Sequence, residues 1–402
     1  MIEHQRSRGP RCCWWEHKRK RRASPPAQRR LATLILIASM IPSGSSWASH
    51  VAYDGLPQWP DKAQAAATSL FDWRLYAQGR YTHTSTSSDR FALRRLKLHF
   101  GGHPIAHFSY FAQGIFKEGN ASATDGRPFL QDAWLAYELR PFLRITAGQL
   151  KPSFGMERFT SDAAILTIDR SQATDHLVPN GKLGDSFTRD RGIQLDGWVA
   201  SNRGYYAFGL FEGEGANNAI KKPSPLTTMR FVYRTVDDWT IGGLTLNGHL
   251  GAAFSIRRAN QLDLSGCCPG PQRIALRRFN GRDTRLNLEL AADWGAMSLR
   301  AEYFKAWFHF RDSSFSDFVA NGWYVQAAGF LVPKLQAAVK FEGFDPNQSV
   351  TDRNDLFWTT LGLNYYLNGN RAKIMLNYLF KQEKKRSLSN DALLLQVQYF
   401  FK

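Results

Sequence analysis

The feature that most restricts the fold of this chain is a two-residue alternation of apolar and polar side chains. Between residues 283 and 294, for example, Leu286, Leu288 and Leu290 recur on one face, and polar residues separate them. A period of two puts successive side chains on opposite faces of a β-strand, so such a segment is predicted to be a half-buried strand. Sixteen segments of this kind follow one another between Phe71 and Phe401. The sequence therefore predicts an all-β fold.

The connections between the predicted strands alternate in length. Tight turns such as Arg140-Pro141-Phe142 join the strands at one end, whereas longer polar loops join them at the other. The connection 235–249 is the exception at the short end, because it is long enough to contain part of a further strand. An even strand number, one short-turned end and side-chain alternation are typical of an antiparallel transmembrane β-barrel. Such a barrel must close, because lipid cannot satisfy the hydrogen bonds of an open sheet edge.

The last predicted strand, Leu393–Phe401, has one unbroken apolar face and a second face that carries Gln396 and Gln398. An amphipathic terminal strand with an aromatic end resembles the signal by which outer-membrane barrels are recognised for assembly, although Lys402 follows the final aromatic residue here. A soluble exported β-protein with such a strand remains the alternative. Dependence on detergent separates the two.

The first 48 residues are predicted to be a signal peptide. They hold ten Lys/Arg and two Asp/Glu, an apolar stretch from Leu31 to Met40, and small residues at Ser46 and Ala48 at the spacing of a cleavage site. The apolar stretch is too short to span a bilayer, which disfavours a membrane anchor. The basic region is long for a leader, which is consistent with a translation start downstream of Met1. The remaining chain is divided into a lead-in, residues 49–70, and a barrel, residues 71–402.

One predicted connection is much longer than the others. From Lys151 to Asp190, about forty residues show no clear strand pattern, and a loop of that length inside a compact domain is usually functional. The loop follows the fifth predicted strand, so it is the third loop on the side of the longer connections. We expect it to fold inward and narrow the pore of the predicted barrel.

The charge of the chain favours the passage of anions. The formal net charge is +18, and removing residues 1–48 leaves 42 basic and 32 acidic residues. Basic side chains that line a water-filled lumen attract anions and repel cations. Acidic residues also occur on the polar faces of the predicted strands, and such mixed charge is equally expected in a non-selective general diffusion pore.

Position in the predicted barrel selects candidate lining residues. Arg94 and Arg95 begin the second predicted strand, and Lys97 continues the face of Arg95. Arg230 and Arg234 share one face, about 13 Å apart along a strand. Four further candidates are Asp132, on the polar face of the fourth predicted strand, and Arg158, Ser161 and Arg170, in the long loop.

Five sequence motifs resemble those of the phosphate-selective porins of the O and P type. They occur in the family's order, and the resemblance covers roughly Phe71 to Phe401. The motifs are LQDAW at 130–134, GQLKPSFGME at 148–157, IDRS at 168–171, RDRG at 189–192 and LGLNYYLN at 361–368. The resemblance implies a homotrimeric, sixteen-stranded channel in the outer membrane of a Gram-negative bacterium, with phosphate or pyrophosphate as the substrate of the best-known members.

The resemblance also bears on the candidate residues. It implies that Arg94 and Arg95 match an arginine pair near the constriction, that Asp132 matches an acidic residue there, and that Arg170 matches the family's Arg-Ser motif. The long loop departs from the pattern of selective relatives, because residues 158–162 offer Arg158 and Ser161 but no lysine. Negative charge is added by Asp162, Asp169, Asp175 and Asp185. Anion preference is therefore expected, but strict phosphate selectivity is not.

Other functional classes receive little support from the sequence. No local motif unites a nucleophile with a base, so the chain is not predicted to be an enzyme or to need a cofactor. The basic residues are spread over strands of an exported chain, which disfavours nucleic-acid binding. Cys267-Cys268 occupies a turn-rich loop without a nearby metal-ligand partner, so a metal site is not predicted, and either a disulfide or free thiols fit. Expected partners are small inorganic anions and outer-membrane lipid.

Overall fold

The computed structural model describes residues 70–118, 128–178, 189–218, 223–235, 239–241, 243–385 and 388–401. The predicted signal peptide, nearly all of the lead-in, and Asp185 of the long loop lie outside these ranges. Within them, no helix has the length and apolar character needed to cross a membrane.

Seventeen strands and three short helices make up the described fold. The first eight strands are β1 (Asp72–Thr84), β2 (Ser87–Gly102), β3 (Phe108–Glu118), β4 (Phe129–Arg140), β5 (Leu143–Leu150), β6 (Asp190–Val199), β7 (Gly204–Phe211) and β8 (Leu226–Arg234). The others are β9 (Thr240–Ile241), β10 (Leu244–Leu262), β11 (Phe279–Trp294), β12 (Met297–Phe310), β13 (Phe318–Val332), β14 (Leu335–Asp345), β15 (Leu356–Asn368), β16 (Ala372–Glu383) and β17 (Ala392–Phe401). The helices are α1 (Met156–Phe159), α2 (Gln172–Leu177) and α3 (Arg273–Leu276).

Sixteen of these strands form one closed antiparallel barrel. Each strand pairs with the next along the chain, β8 pairs directly with β10, and β17 returns to pair with β1 from Leu75↔Phe401 to Thr84↔Ala392. Among the described strands, the two-residue β9 pairs with the start of β10 alone, so the connection 235–249 does contain additional strand structure. The prediction of a sixteen-stranded antiparallel barrel is confirmed.

The two faces of each strand differ as the alternation predicts. In β17, Val397, Tyr399 and Phe401 are exposed, whereas Gln396 and Gln398 are buried. The same division occurs in β11, where Leu288 is 47% exposed and Asn287 is fully buried. Apolar side chains therefore cover the outside of the barrel, and polar side chains point into it.

The connection between β1 and β2 is shorter than the sequence indicates. Residues 82–89 read as a polar loop, but β1 extends to Thr84 and β2 begins at Ser87. The polar ends of both strands are held by side chains: the Tyr81 hydroxyl donates to Asp89 Oδ2 at 2.6 Å, and the Thr84 and Ser87 hydroxyls are 2.6 Å apart. Arg94 and Arg95 consequently lie within β2 rather than at its start.

A β-bulge changes the direction of the arginine pair in β2. Gln78 pairs with Arg95 and Gly79 pairs with Leu93, so Arg94 is an extra residue between two paired positions. Regular alternation would place neighbouring residues on opposite faces of the sheet. A β-bulge changes the face towards which a side chain points. Here it directs both Arg94 and Arg95 into the barrel.

The segment between β5 and β6 is bonded to interior side chains of many strands. Its described part, residues 151–178, is called the β5–β6 segment below. The backbone N–H groups of Met156 and Glu157 donate to Glu302 on β12 at 2.6 and 2.8 Å. Further along the segment, the N–H of Ile168 donates to Asn377 on β16 at 2.7 Å. Gly155 precedes α1 with φ +81°, a conformation that glycine adopts without strain.

A large apolar cluster occupies the inner face of β10 to β14. Phe304 and Phe308 on β12 are buried on the same face as the polar Glu302, which lies nearer the short-turned end. They belong to one cluster with residues of the β5–β6 segment, including Leu177, and of the β10–β11 connection, including Leu276. The two-residue alternation places these phenylalanines on the polar face of β12. It does not predict that they pack against apolar residues of the loops.

Candidate channel-lining site

Three cations surround one carboxylate where the β5–β6 segment meets the inner wall of β2. Asp162 forms ion pairs with Arg170 of the same segment and with Lys97 of β2, and its Oδ2 is 3.4 Å from Nε of Arg95. The four side chains are between 6% and 12% exposed. Burial alone would raise the pKa of Asp162, but the charges of Arg95, Lys97 and Arg170 hold it well below its usual range. Asp162 is therefore ionised at neutral pH.

A second carboxylate of the segment faces the wall formed by β1 and β2. Asp169 Oδ1 is 2.9 Å from Nη1 of Arg80, and the backbone carbonyl of Asp169 accepts from Nζ of Lys340 at 3.0 Å. Burial would raise the pKa of Asp169, but the guanidinium groups of Arg80, Arg94 and Arg95 lower it to about 2. The two carboxylates together are surrounded by more positive charge than they carry.

A cavity of about 420 Å³ lies beside Asp169, on the side of the longer connections. It is called the outer cavity below. Its walls come from β1, β2, the β5–β6 segment and β14 to β17. Five basic residues, Arg80, Arg94, Arg170, Lys340 and Lys381, outnumber the acidic residues Asp169, Asp175 and Glu342. The Lys381 ammonium is 4.8 Å from the centre of the Trp358 ring. The cavity therefore has a basic lining with one aromatic surface.

The remaining loop candidates do not contact this cluster of cations. Arg158 is bonded within the segment, where Nη2 donates to the Thr174 carbonyl at 3.2 Å and to Asp175 Oδ1 at 2.9 Å. Ser161 is exposed, and its hydroxyl oxygen accepts from the backbone N–H of Ala163 at 3.3 Å. Arg158 thus braces the fold of the segment, whereas Ser161 presents a hydroxyl next to Asp162.

The candidates on other strands make separate contacts, two of which are ion pairs. Asp132 on β4 accepts from Nε of Arg189 at 3.0 Å. Arg230 on β8 donates to Glu289 of β11 at 2.7 Å, and both side chains are fully buried. Arg234 lies at the short-turned end, where its guanidinium carbon is 4.1 Å from the centre of the Trp198 ring. The structure thus brings together four of the nine candidates, Arg94, Arg95, Lys97 and Arg170. The five that lie elsewhere are Asp132, Arg158, Ser161, Arg230 and Arg234.

Three basic residues that line the outer cavity, Arg80, Lys340 and Lys381, were not among the candidates selected from the sequence. Arg80 lies on the same face of β1 as Tyr76 and Gln78, so following the two-residue alternation along this strand as far as residue 80 would have found it. Lys340 and Lys381 lie on the inner faces of β14 and β16, and the sequence alone does not single them out from other polar-face residues. Their role depends on the path of the β5–β6 segment, which sequence periodicity does not describe.

The cysteine pair lies in the apolar cluster. Cys267 and Cys268 are free thiols, and both are buried together with Leu264 and Leu276. Burial raises the pKa of the Cys268 thiol well above its usual value. In the described parts of the chain, no group of His, Cys, Asp and Glu residues has the arrangement of a metal site.

Comparison with known proteins relates the chain to membrane channels. A sequence profile described as phosphate-selective porin O and P matches residues 72–401. A protein of Aquifex aeolicus (strain VF5), described as uncharacterized, is 31% identical over 323 residues, which cover 71% of each chain.

Two solved structures share the fold at low sequence identity. An anion-selective porin from Comamonas acidovorans has a TM-score of 0.57 at 12% identity, covering 83% of this chain and 100% of that chain. The trimer form of in-vitro folded OmpT, an outer membrane protein of Vibrio cholerae, has a TM-score of 0.56 at 10% identity, covering 82% and 99%. At such identities the likeness supports the barrel fold alone.

Proposed function

This chain belongs to the family of phosphate-selective porins O and P, and we propose that it forms an anion-preferring channel through the outer membrane. The matched region contains every strand from β1 to β17. Family and fold are those of an outer-membrane porin, a channel rather than an enzyme. The selectivity for anions and the identity of the solute form the proposal.

The observation that carries the proposal is the excess of cations where the β5–β6 segment meets the wall. Arg80, Arg94, Arg95, Lys97 and Arg170 act on two carboxylates, Asp162 and Asp169. Charges in a narrow, partly dehydrated passage interact more strongly with an ion than the same charges in bulk water, and salt screens them less. An anion is therefore attracted to this passage, and a cation is repelled from it.

We propose further that the β5–β6 segment is the inward-folded loop that narrows the pore. Its bonds to Glu302, Lys340 and Asn377 tie it to the interior faces of three different strands. The cavity beside it then forms the outer entrance. A passing anion would meet several modest sites along the β1–β2 wall rather than one deep site, and such an arrangement allows release as well as entry.

The proposed solutes are small inorganic anions, the class that includes phosphate. Guanidinium groups offer fork-shaped donors that suit phosphate oxygens, and Arg80 and Arg94 line the outer cavity. The anion-selective porin of Comamonas acidovorans, which has the same fold, is consistent with this class.

The cellular setting is also part of the proposal. Residues 1–48 are proposed to direct export in a Gram-negative bacterium, and the exposed apolar outer face of the barrel is proposed to contact outer-membrane lipid. A homotrimer is proposed because OmpT of Vibrio cholerae has a trimer form with this fold.

One observation favours a non-selective general diffusion porin instead. Arg95, Lys97 and Arg170 all contact Asp162, which neutralises part of their charge. In that case the local cations would stabilise the segment without setting selectivity. Measurement of ion preference separates the two functions.

The test is the reversal potential of the channel in a planar bilayer under a salt gradient. We expect the wild-type potential to have the sign of an anion-preferring pore. The double variant Arg94→Glu with Lys381→Glu should move it towards cation preference, because both residues line the outer cavity.

The matched control is Arg277→Glu with Arg278→Glu, which changes the charge by the same amount at two exposed residues of the β10–β11 connection. Its reversal potential should move much less. A wild-type potential near zero, or equal shifts in the two double variants, would contradict the proposed anion preference.

A further inference from the structure

Asp162 occupies the position where the candidate cations converge. Its carboxylate contacts Arg95 and Lys97 from the wall and Arg170 from the β5–β6 segment. A carboxylate is an oxyanion of the protein itself, with two oxygens that accept from guanidinium and ammonium donors as a solute anion would. The site is thus already filled by a group of the chain.

The donors around Asp162 are directed at it by other bonds. Arg170 Nη2 donates to the Thr160 carbonyl at 2.7 Å and its Nε donates to the Glu157 carbonyl at 3.0 Å, which leaves Nη1 on Asp162. Arg95 Nη1 donates to Gln78 Oε1 at 2.8 Å. These bonds fix the two arginines independently of Asp162, so a neutral residue at position 162 leaves two oriented guanidinium groups beside the Lys97 ammonium.

The charge of Asp162 also affects different anions unequally. Asp162 stays ionised at neutral pH because its three cationic neighbours outweigh its burial. Its repulsion is twice as large for a dianion as for a monoanion at the same position, since Coulomb energy is proportional to charge. The attraction of the three cations grows in the same proportion, so the discrimination comes from the occupied donors. A small monovalent anion can pass beside them, whereas phosphate, which needs several oriented donors at once, finds them already engaged by Asp162.

We propose that Asp162 is a specificity-determining residue that makes the channel prefer small monovalent anions over divalent phosphate. The inference rests on the proposed anion channel and names its solute class. Asp162 fills the oxyanion site formed by Arg95, Lys97 and Arg170. Removing its charge opens that site to phosphate.

The test is inhibition of chloride current by phosphate at mildly alkaline pH, where most phosphate is dianionic. In the wild type, phosphate should inhibit chloride current weakly. In Asp162→Asn, the half-inhibiting phosphate concentration should fall at least about tenfold, which corresponds to about 1.4 kcal/mol of binding free energy. Asp162→Glu keeps the charge and should retain weak inhibition.

Asp175→Asn is the matched control. It removes the same charge from the same segment, but the partner of Asp175 is Arg158 rather than the three-cation cluster. Because Asp175 lines the outer cavity, this variant should shift the reversal potential, but its half-inhibiting phosphate concentration should fall much less than that of Asp162→Asn. Chloride conductance and heat-modifiability of each variant report on assembly, and Asp162→Ser replaces Asp162→Asn if the asparagine variant does not assemble.

The outcomes separate this inference from the proposed function. A wild-type channel without anion preference refutes the proposed function itself. An anion-preferring wild type whose neutral variants at position 162 bind phosphate no more tightly than Asp175→Asn refutes only the role of Asp162, which would then serve to hold the segment in place. Strong phosphate inhibition of the wild type also refutes it.

Discussion

Neighbouring side chains on a barrel strand face different surroundings, as Thr360 and Leu361 near the middle of β15 do. Thr360 lines the outer cavity, whereas Leu361 is 44% exposed on the outer face. Arginine introduced on a lipid-facing position near the membrane midplane costs about 2–4 kcal/mol, whereas a lumen position can hydrate the charge.

Leu361→Arg should therefore lower the free energy of unfolding by about 2–4 kcal/mol in a refolding titration in lipid vesicles. Thr360→Arg should lower it much less, because its side chain enters the cavity. Equal destabilisation by the two adjacent substitutions would show that the assignment of faces in β15 is wrong.

Single residues also show where sequence reasoning ends. The alternation predicts the outward face of Leu288 and the inward face of Lys97, because period two requires only a regular strand. It does not predict that Arg94 and Arg95 both point inward, because a bulge depends on pairing with β1. It also does not reveal that Asp162 contacts Arg95 and Lys97, since those contacts depend on the path of a segment without periodicity.

Among the elements, the β5–β6 segment is the one whose position is set by the rest of the barrel. Its length was evident from the sequence, but its anchors come from strands far along the chain. Glu302 accepts hydrogen bonds from the Met156 and Glu157 N–H groups and from the Tyr324 hydroxyl at 2.8 Å. Leaving a buried N–H group without an acceptor costs about 1–3 kcal/mol.

Glu302→Ala should therefore loosen the start of the segment while the barrel still assembles. We expect larger fluctuations in single-channel current and faster cleavage within residues 151–178 by a protease. Glu302→Gln keeps an acceptor oxygen and should lie closer to the wild type. Unchanged current noise and protease resistance in Glu302→Ala would show that other contacts suffice to hold the segment.

For the molecule as a whole, closure of the barrel depends on the last strand. Ten residue pairs join β17 to β1, and β17 also pairs with β16. Without β17 the sheet would present two unpaired edges to lipid, which offers no hydrogen-bond partners. The pattern of sixteen segments was sufficient to predict this closure, because an even, antiparallel ring is the arrangement that satisfies all edges.

The full chain without residues 1–48 should be rich in β structure by circular dichroism in detergent, and its electrophoretic mobility should change on heating. Deleting residues 392–402 should abolish the heat-modifiable form. A truncated chain that still shows the folded mobility would contradict the requirement for β17 in closure.

The apolar cluster on the inner face of β10 to β14 has an electrostatic consequence for the opposite wall. The apolar cluster has a low dielectric constant. It therefore focuses the electric field of Arg80, Arg95 and Lys97 into the water-filled part of the pore. A permeating ion therefore interacts with these charges more strongly than it would in a pore whose opposite wall was polar and hydrated. The phenylalanines of β12, which are buried in the apolar cluster, in this way strengthen the effect of arginines on the far side of the barrel.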